Sequence, residues 1–97
     1  MLTAELDAGV GQLRLLELHS FVVLTEELHF TRAADRLVVT PGGLSRRITH
    51  LERALGLPLL HRTTRSVGLT AEGARAVPTV RRLFTEVEAL HGHAVAH

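Results

Sequence analysis

The 97-residue chain has eleven basic and ten acidic side chains, is 45% hydrophobic and only 3% aromatic, and contains no cysteine. That length suits one domain with a core of three or four helices built from Leu, Val and Ala. Without cysteine, a disulfide framework, a thiolate metal site and a thiol nucleophile are all excluded.

Residues 1–12 lack a clear period and include Gly9 and Gly11, so a flexible lead with at most one helical turn is expected. Its start, MLTAELDAG, carries acids and no long apolar run. Neither a signal peptide nor a membrane span is expected, and the chain reads as cytoplasmic. From Leu13 to Leu28 the sequence is amphipathic, with Leu15, Leu18, Phe21, Val22, Leu24 and Leu28 as the apolar face and Glu17 off it. This is a supporting first helix, and His19 and His29 read as surface residues.

Phe30 to Leu55, FTRAADRLVVTPGGLSRRITHLERAL, is the centre of the chain. Phe30 is expected to cover the junction of the first two helices, and Thr31 to cap the second. Ala33, Ala34 and Leu37 follow at helical spacing, the alanines allowing close packing. Val38-Val39 reads as a connector because β-branching restricts χ1 in a helix. Thr40-Pro41 restarts the chain as N-cap plus a proline at the first helical position, where its missing N–H is harmless. Leu44, Ile48, Leu51 and Leu55 then form one apolar stripe. The other face offers Gly42, Gly43, Ser45, Arg46, Thr49, His50 and Arg53, and Gly56 stops the helix. Two short helices, a tight bend and a small, polar, cationic start to the second helix make a helix-turn-helix pattern.

After Gly56, Leu57, Leu59 and Leu60 are expected to turn back to the core. Thr63 to Ser66 is a polar turn, and Val67 and Leu69 alternate with small polar residues as in a half-buried strand. The hairpin is a wing that brings Arg62, Thr64 and Arg65 toward a polyanion. Thr70 caps a last long helix in which Ala76, Val80, Leu83, Val87, Leu90 and Ala94 make an a/d seam, widened by Val77 and Phe84. The seam predicts a homodimer through Val80, Leu83, Phe84, Val87 and Leu90, and Pro78 predicts a bend or an irregularity near residue 74. The expected fold is mainly α: a winged helix-turn-helix over 13–70, three helices plus a two-stranded wing, and a linker and dimerisation helix over 71–97.

Charge is segregated. Residues 32–65 hold seven arginines against two acids, while the rest holds four arginines against eight acids. A cationic third between anionic flanks is the footprint of a polyanion-binding face. No nucleophile elbow, phosphate loop or HExxH is present, so catalysis is not expected and no cofactor is required. His93 and His97 have a chelating spacing beside His91, but a solvated tail explains them and no metal is assigned.

FTRAADRL followed by TPGGLSRRITHLERALGLPLLHRTTRSVGLTAEG resembles the N-terminal DNA-binding domain of LysR-type transcriptional regulators, over about residues 13–90. The resemblance implies double-stranded DNA as the partner, at a dyad-symmetric promoter site, with a dimer or, in a full-length parent, a tetramer. It implies major-groove contacts from Pro41, Gly42, Gly43, Ser45 and Arg46, a minor-groove contact from Arg65, and phosphate contacts from Thr31, Thr40 and Arg62. His50 is a further candidate phosphate or base contact. Family members usually carry glutamine where this chain has Pro41, so amide readout is lost there and Arg46 gains weight. Gly42-Gly43 weakens the helix start by about 0.5–1 kcal/mol per glycine. Members normally continue into an effector-binding domain, so the chain reads as either an excised DNA-binding fragment, which is favoured, or a naturally short regulator without ligand sensing.

Overall fold

A computed structural model describes residues 10–62 and 67–96. A short 3-10 turn (Val10–Gln12) precedes α1 (Leu15–Glu27), α2 (Phe30–Leu37) and α3 (Pro41–Leu55). Strands β1 (Leu60–Arg62) and β2 (Val67–Leu69) then form a hairpin, and α4 (Ala71–Ala96) ends the chain. The lead over 1–9 and the wing turn with Thr64 and Arg65 lie outside the described residues.

The three short helices close around Phe21, Leu24, Leu44, Ile48, Leu51 and Leu59, all without solvent exposure. Each such burial contributes about 1.5–3 kcal/mol. Ala33 and Ala34 are fully buried, so α2 packs closely as two adjacent small side chains allow. The Leu44–Ile48–Leu51 stripe is buried as its spacing predicts.

The buried face of α1 is rotated from the expected one. Glu17 and Ser20 join Leu18, Phe21, Val23 and Leu24 inside, while Leu15, Leu16 and Leu28 are exposed. Glu17, Ser20 and Leu24 share the i, i+3, i+7 line of the core, and polar partners on α3 make that burial tolerable. Leu57 is likewise exposed, whereas Leu59 and Leu60 are buried as expected.

Each of the first three helices ends in a left-handed residue: Leu28 (φ 49°), Val38 (φ 56°) and Gly56 (φ 70°). Gly56 takes this conformation without steric cost. Val38 does not: a β-branched residue at positive φ is a strained outlier, and it is 89% exposed. Val38-Val39 is the connector its β-branching predicts, and its bend is made by a left-handed valine. The first cap of that unit also differs from expectation. His29 Nδ1 accepts from Arg32 N–H at 3.2 Å, so Thr31 sits one residue inside α2.

β1 and β2 pair antiparallel, Leu60 opposite Leu69 and Arg62 opposite Val67. Thr70 N–H extends the ladder to Leu59 O at 3.0 Å. Thr70 Oγ1 donates to Pro58 O at 2.5 Å and accepts from Gly73 N–H at 2.9 Å, capping α4 as expected. Gly73 is indispensable to this joint, because a Cβ there would collide with the Leu59 carbonyl.

α4 runs through Pro78 without interruption. Ala74, whose carbonyl loses its partner to the proline, is exposed, so water can satisfy that oxygen. The a/d seam divides. Val80 is buried in the chain's own core, and Phe84 is half-buried against His19, ring centroids 5.9 Å apart and edge-on. Val87 is half-buried, while Leu83 and Leu90 stay 40% and 71% exposed. Among the described residues, no helix is long and apolar enough to cross a membrane.

Candidate nucleic-acid interface

The start of α3 is built by local chemistry. Thr40 is extended, and its Oγ1 accepts from Gly43 N–H at 3.0 Å. Pro41 occupies the first position, and Pro41 and Gly42 are exposed. The exposed Arg46 side chain folds back over this end: a Cβ on Gly42 would lie 3.7 Å from its Nη1, and one on Gly43 3.8 Å from its Nη2. At Gly43 a Cβ would also approach Thr40 Oγ1 to 3.1 Å and press on the cap. Pro41 has no N–H and Gly43 N–H is held by Thr40, so the two glycines keep the Gly42 N–H of this partly positive helix start sterically open to an approaching anion.

Ser45 is tied to the wing. Arg62 Nη1 donates to Ser45 Oγ at 2.6 Å and Nη2 to Thr49 Oγ1 at 3.3 Å, with Glu52 Oε1 3.5 Å away. The same guanidinium lies over the Phe30 ring, 5.3 Å from its centroid. Glu52 Oε2 meanwhile accepts from Leu59 N–H (2.8 Å) and Leu60 N–H (3.3 Å). Arg62 and Glu52 therefore lock β1 onto α3, and Arg62 spends its donors inside the protein instead of presenting them outward. Phe30 itself packs half-buried against the core, with a cation on its face.

The structure also redistributes the cationic surplus. Arg36 pairs with Glu26 (2.9 Å) and Glu27 (3.1 Å), Arg32 with Glu27 (3.5 Å), and Arg81 with Glu26 (2.9 Å). Hydrogen bonds from Arg36 and then Arg81 hold the Glu26 carboxyl below its ordinary value, and the two acids raise Arg36 in turn. Arg47 reaches across to Ser20. Arg46 and Arg53 remain as the α3 arginines with no side-chain hydrogen bond or ion pair to a described residue. Thr31 is exposed on the first turn of α2, and His50 is half-buried beside Glu17.

The site thus gathers Thr40, Pro41, Gly42, Gly43, Ser45, Arg46 and, through Arg62, the wing. Glu17, Phe30 and Glu52 support it, and only the helical line through Glu17 could have marked that residue in advance.

Three packed helices with a capped, cationic last helix and a hairpin locked to its flank make a winged helix-turn-helix. Residues 15–74 match the family described as "Bacterial regulatory helix-turn-helix protein, lysR family". The chain belongs to that LysR family of bacterial regulators, not to a family of enzymes. It is 42% identical over 78 residues to the HTH-type transcriptional regulator TtuA of Agrobacterium vitis, a match covering 80% of this chain and 26% of the relative. To IlvR of Caulobacter vibrioides it is 49% identical over 70 residues, covering 72% and 24%. The chain therefore spans about a quarter of the length of these relatives. Among solved structures it resembles the BenM DNA-binding domain in complex with catB site 1 DNA, with a TM-score of 0.81 and 36% identity over 87% of this chain and 94% of that one. A full-length OxyR variant from Pseudomonas aeruginosa matches with a TM-score of 0.82 and 32% identity, over 87% and 28%.

Proposed function

We propose that this chain binds double-stranded DNA in a sequence-specific manner as the DNA-reading part of a LysR-type regulator. The carrying observation is the start of α3, where Gly42 and Gly43, just after exposed Pro41, lie beside an Arg46 guanidinium that no described residue engages. Likeness to a domain crystallised on DNA supports the same reading.

In this reading α3 enters the major groove and Arg46 reads a base edge, its fork matching guanine O6 and N7. Pro41, Gly42 and Gly43 bring the backbone close, and Thr31 and Thr40 sit where phosphates pass. Arg62 acts through Ser45 as well as through charge, and Thr64 and Arg65 carry the wing to the minor groove. Two copies pair through α4 by Leu83, Phe84, Val87 and Leu90, with Val80 buried beneath them, which suits a dyad-symmetric site.

The test is selection of sites from a random duplex pool, with affinity followed against salt and mass followed by sedimentation. Enrichment of a dyad whose affinity falls steeply with salt is expected, and no binding at low salt would reject the reading. Arg46→Ala should lower affinity for the selected site by about 1–3 kcal/mol and leave weak binding to unrelated DNA in place.

A further inference from the structure

α1 and α3 meet through two polar pairs as well as through their apolar faces. Glu17 is only 5% exposed, and its Oε1 lies 2.7 Å from His50 Nδ1. One turn along α1, Ser20 Oγ donates to Leu16 O at 2.8 Å and accepts from Arg47 Nη1 at 3.2 Å. Each helix spaces its two partners three residues apart and the pairs run antiparallel, so together they set the roll of α3 on α1.

An ionised carboxylate can only accept, so His50 Nδ1 must carry the proton in that pair. The His50 side chain is 40% exposed, and it stands four residues after Arg46 and three before Arg53, on the face away from Leu44, Ile48 and Leu51. Its Nε2 is then the nitrogen left for a DNA phosphate, which is also an acceptor. A neutral ring would offer that phosphate a lone pair. Only the imidazolium can donate to a carboxylate on one side and a phosphate on the other.

We propose that Glu17 is a positioning residue for DNA binding: it orients His50 toward the phosphate backbone, and DNA binding is accompanied by uptake of a proton on that ring. The inference rests on the DNA reading above. The charged and titratable groups on the elements that meet α3 include Glu17 and Arg14 from α1, His61 and Arg62 from β1, and Arg46, Arg47, Glu52 and Arg53 on α3 itself. α2 brings Asp35 and the arginines 32 and 36, which are bonded to Glu26 and Glu27. The Val10–Gln12 turn brings no charge. The arginines do not titrate near neutrality, so the proton is taken up by the histidine.

The experiment measures affinity of the full chain for its selected duplex between pH 8 and pH 6 at fixed salt. Wild type should tighten roughly three- to tenfold as pH falls. His50→Gln should lose most of that slope, Glu17→Gln should lose it to a similar degree, and the double variant should lose no more than either. Equal slopes in wild type and His50→Gln, or a slope that survives Glu17→Gln, would overturn the proposal. Absence of binding by wild type at every pH would instead reject DNA binding itself. If Glu17→Gln fails to fold by circular dichroism, ¹⁵N shifts of His50 in the wild-type complex decide: both ring nitrogens protonated supports the proposal, and an unprotonated Nε2 refutes it.

Discussion

The two ends of α4 live in opposite circumstances. At its start, Thr70 bonds to Pro58 and Gly73, Gly73 touches the Leu59 carbonyl, and Val80 reaches the core. Beyond Thr85, no described α4 side chain hydrogen-bonds to another described element, and Leu90 is 71% exposed. The winged body satisfies itself, polar groups included. The far half of α4 is helix in excess of what that body uses, and its exposed apolar steps are what the proposed pairing of two copies would cover.

Substitutions at the welded end should be the most damaging. Gly73→Val drives a side chain into backbone that cannot yield, and about 3–5 kcal/mol of stability should be lost in urea denaturation. Glu52→Ala takes from the Leu59 and Leu60 N–H groups their carboxylate acceptor and from Arg62 its ion-pair partner; a loss of about 2–3 kcal/mol is expected, together with weaker DNA binding as the wing loosens. Val38→Asn tests the strained bend: asparagine tolerates the left-handed region, so the body should gain about 1 kcal/mol. At the free end, Leu90→Ser should change unfolding of the body by less than about 0.5 kcal/mol and yet shift sedimentation toward the monomer. A large loss of stability at Leu90, or an unchanged mass, would erase the contrast between the two ends.

Features fixed by neighbouring residues were legible in the sequence. Thr40, Gly56 and the capping bond of Thr70 to Gly73 span three or four residues, Pro41 fits the first helical position by its fixed φ, and the Leu44–Ile48–Leu51 stripe follows from helical period alone. Features that depend on distant partners were not. Arg62 looks like a free cation until β1 folds beside Ser45 and Thr49. Arg32 and Arg36 look like part of a basic face until α1 places Glu26 and Glu27 against them. Glu17 looks like a surface acid until His50 arrives from α3. The cap of α2 failed for a smaller reason, since His29 and Thr31 both offer acceptors and the helix was capped two residues early.

The bonds of Thr70 have a mechanical consequence. With α4 seated on the strand base through Thr70 and Gly73, the helix has no loose joint at its root and moves with the wing as one piece. Its 26 residues form an arm about 39 Å long at 1.5 Å per residue. A turn of about 5° of the whole winged body then swings the far tip by roughly 3 Å over that length. Anything that grips the tip gains leverage over the angle of the wing.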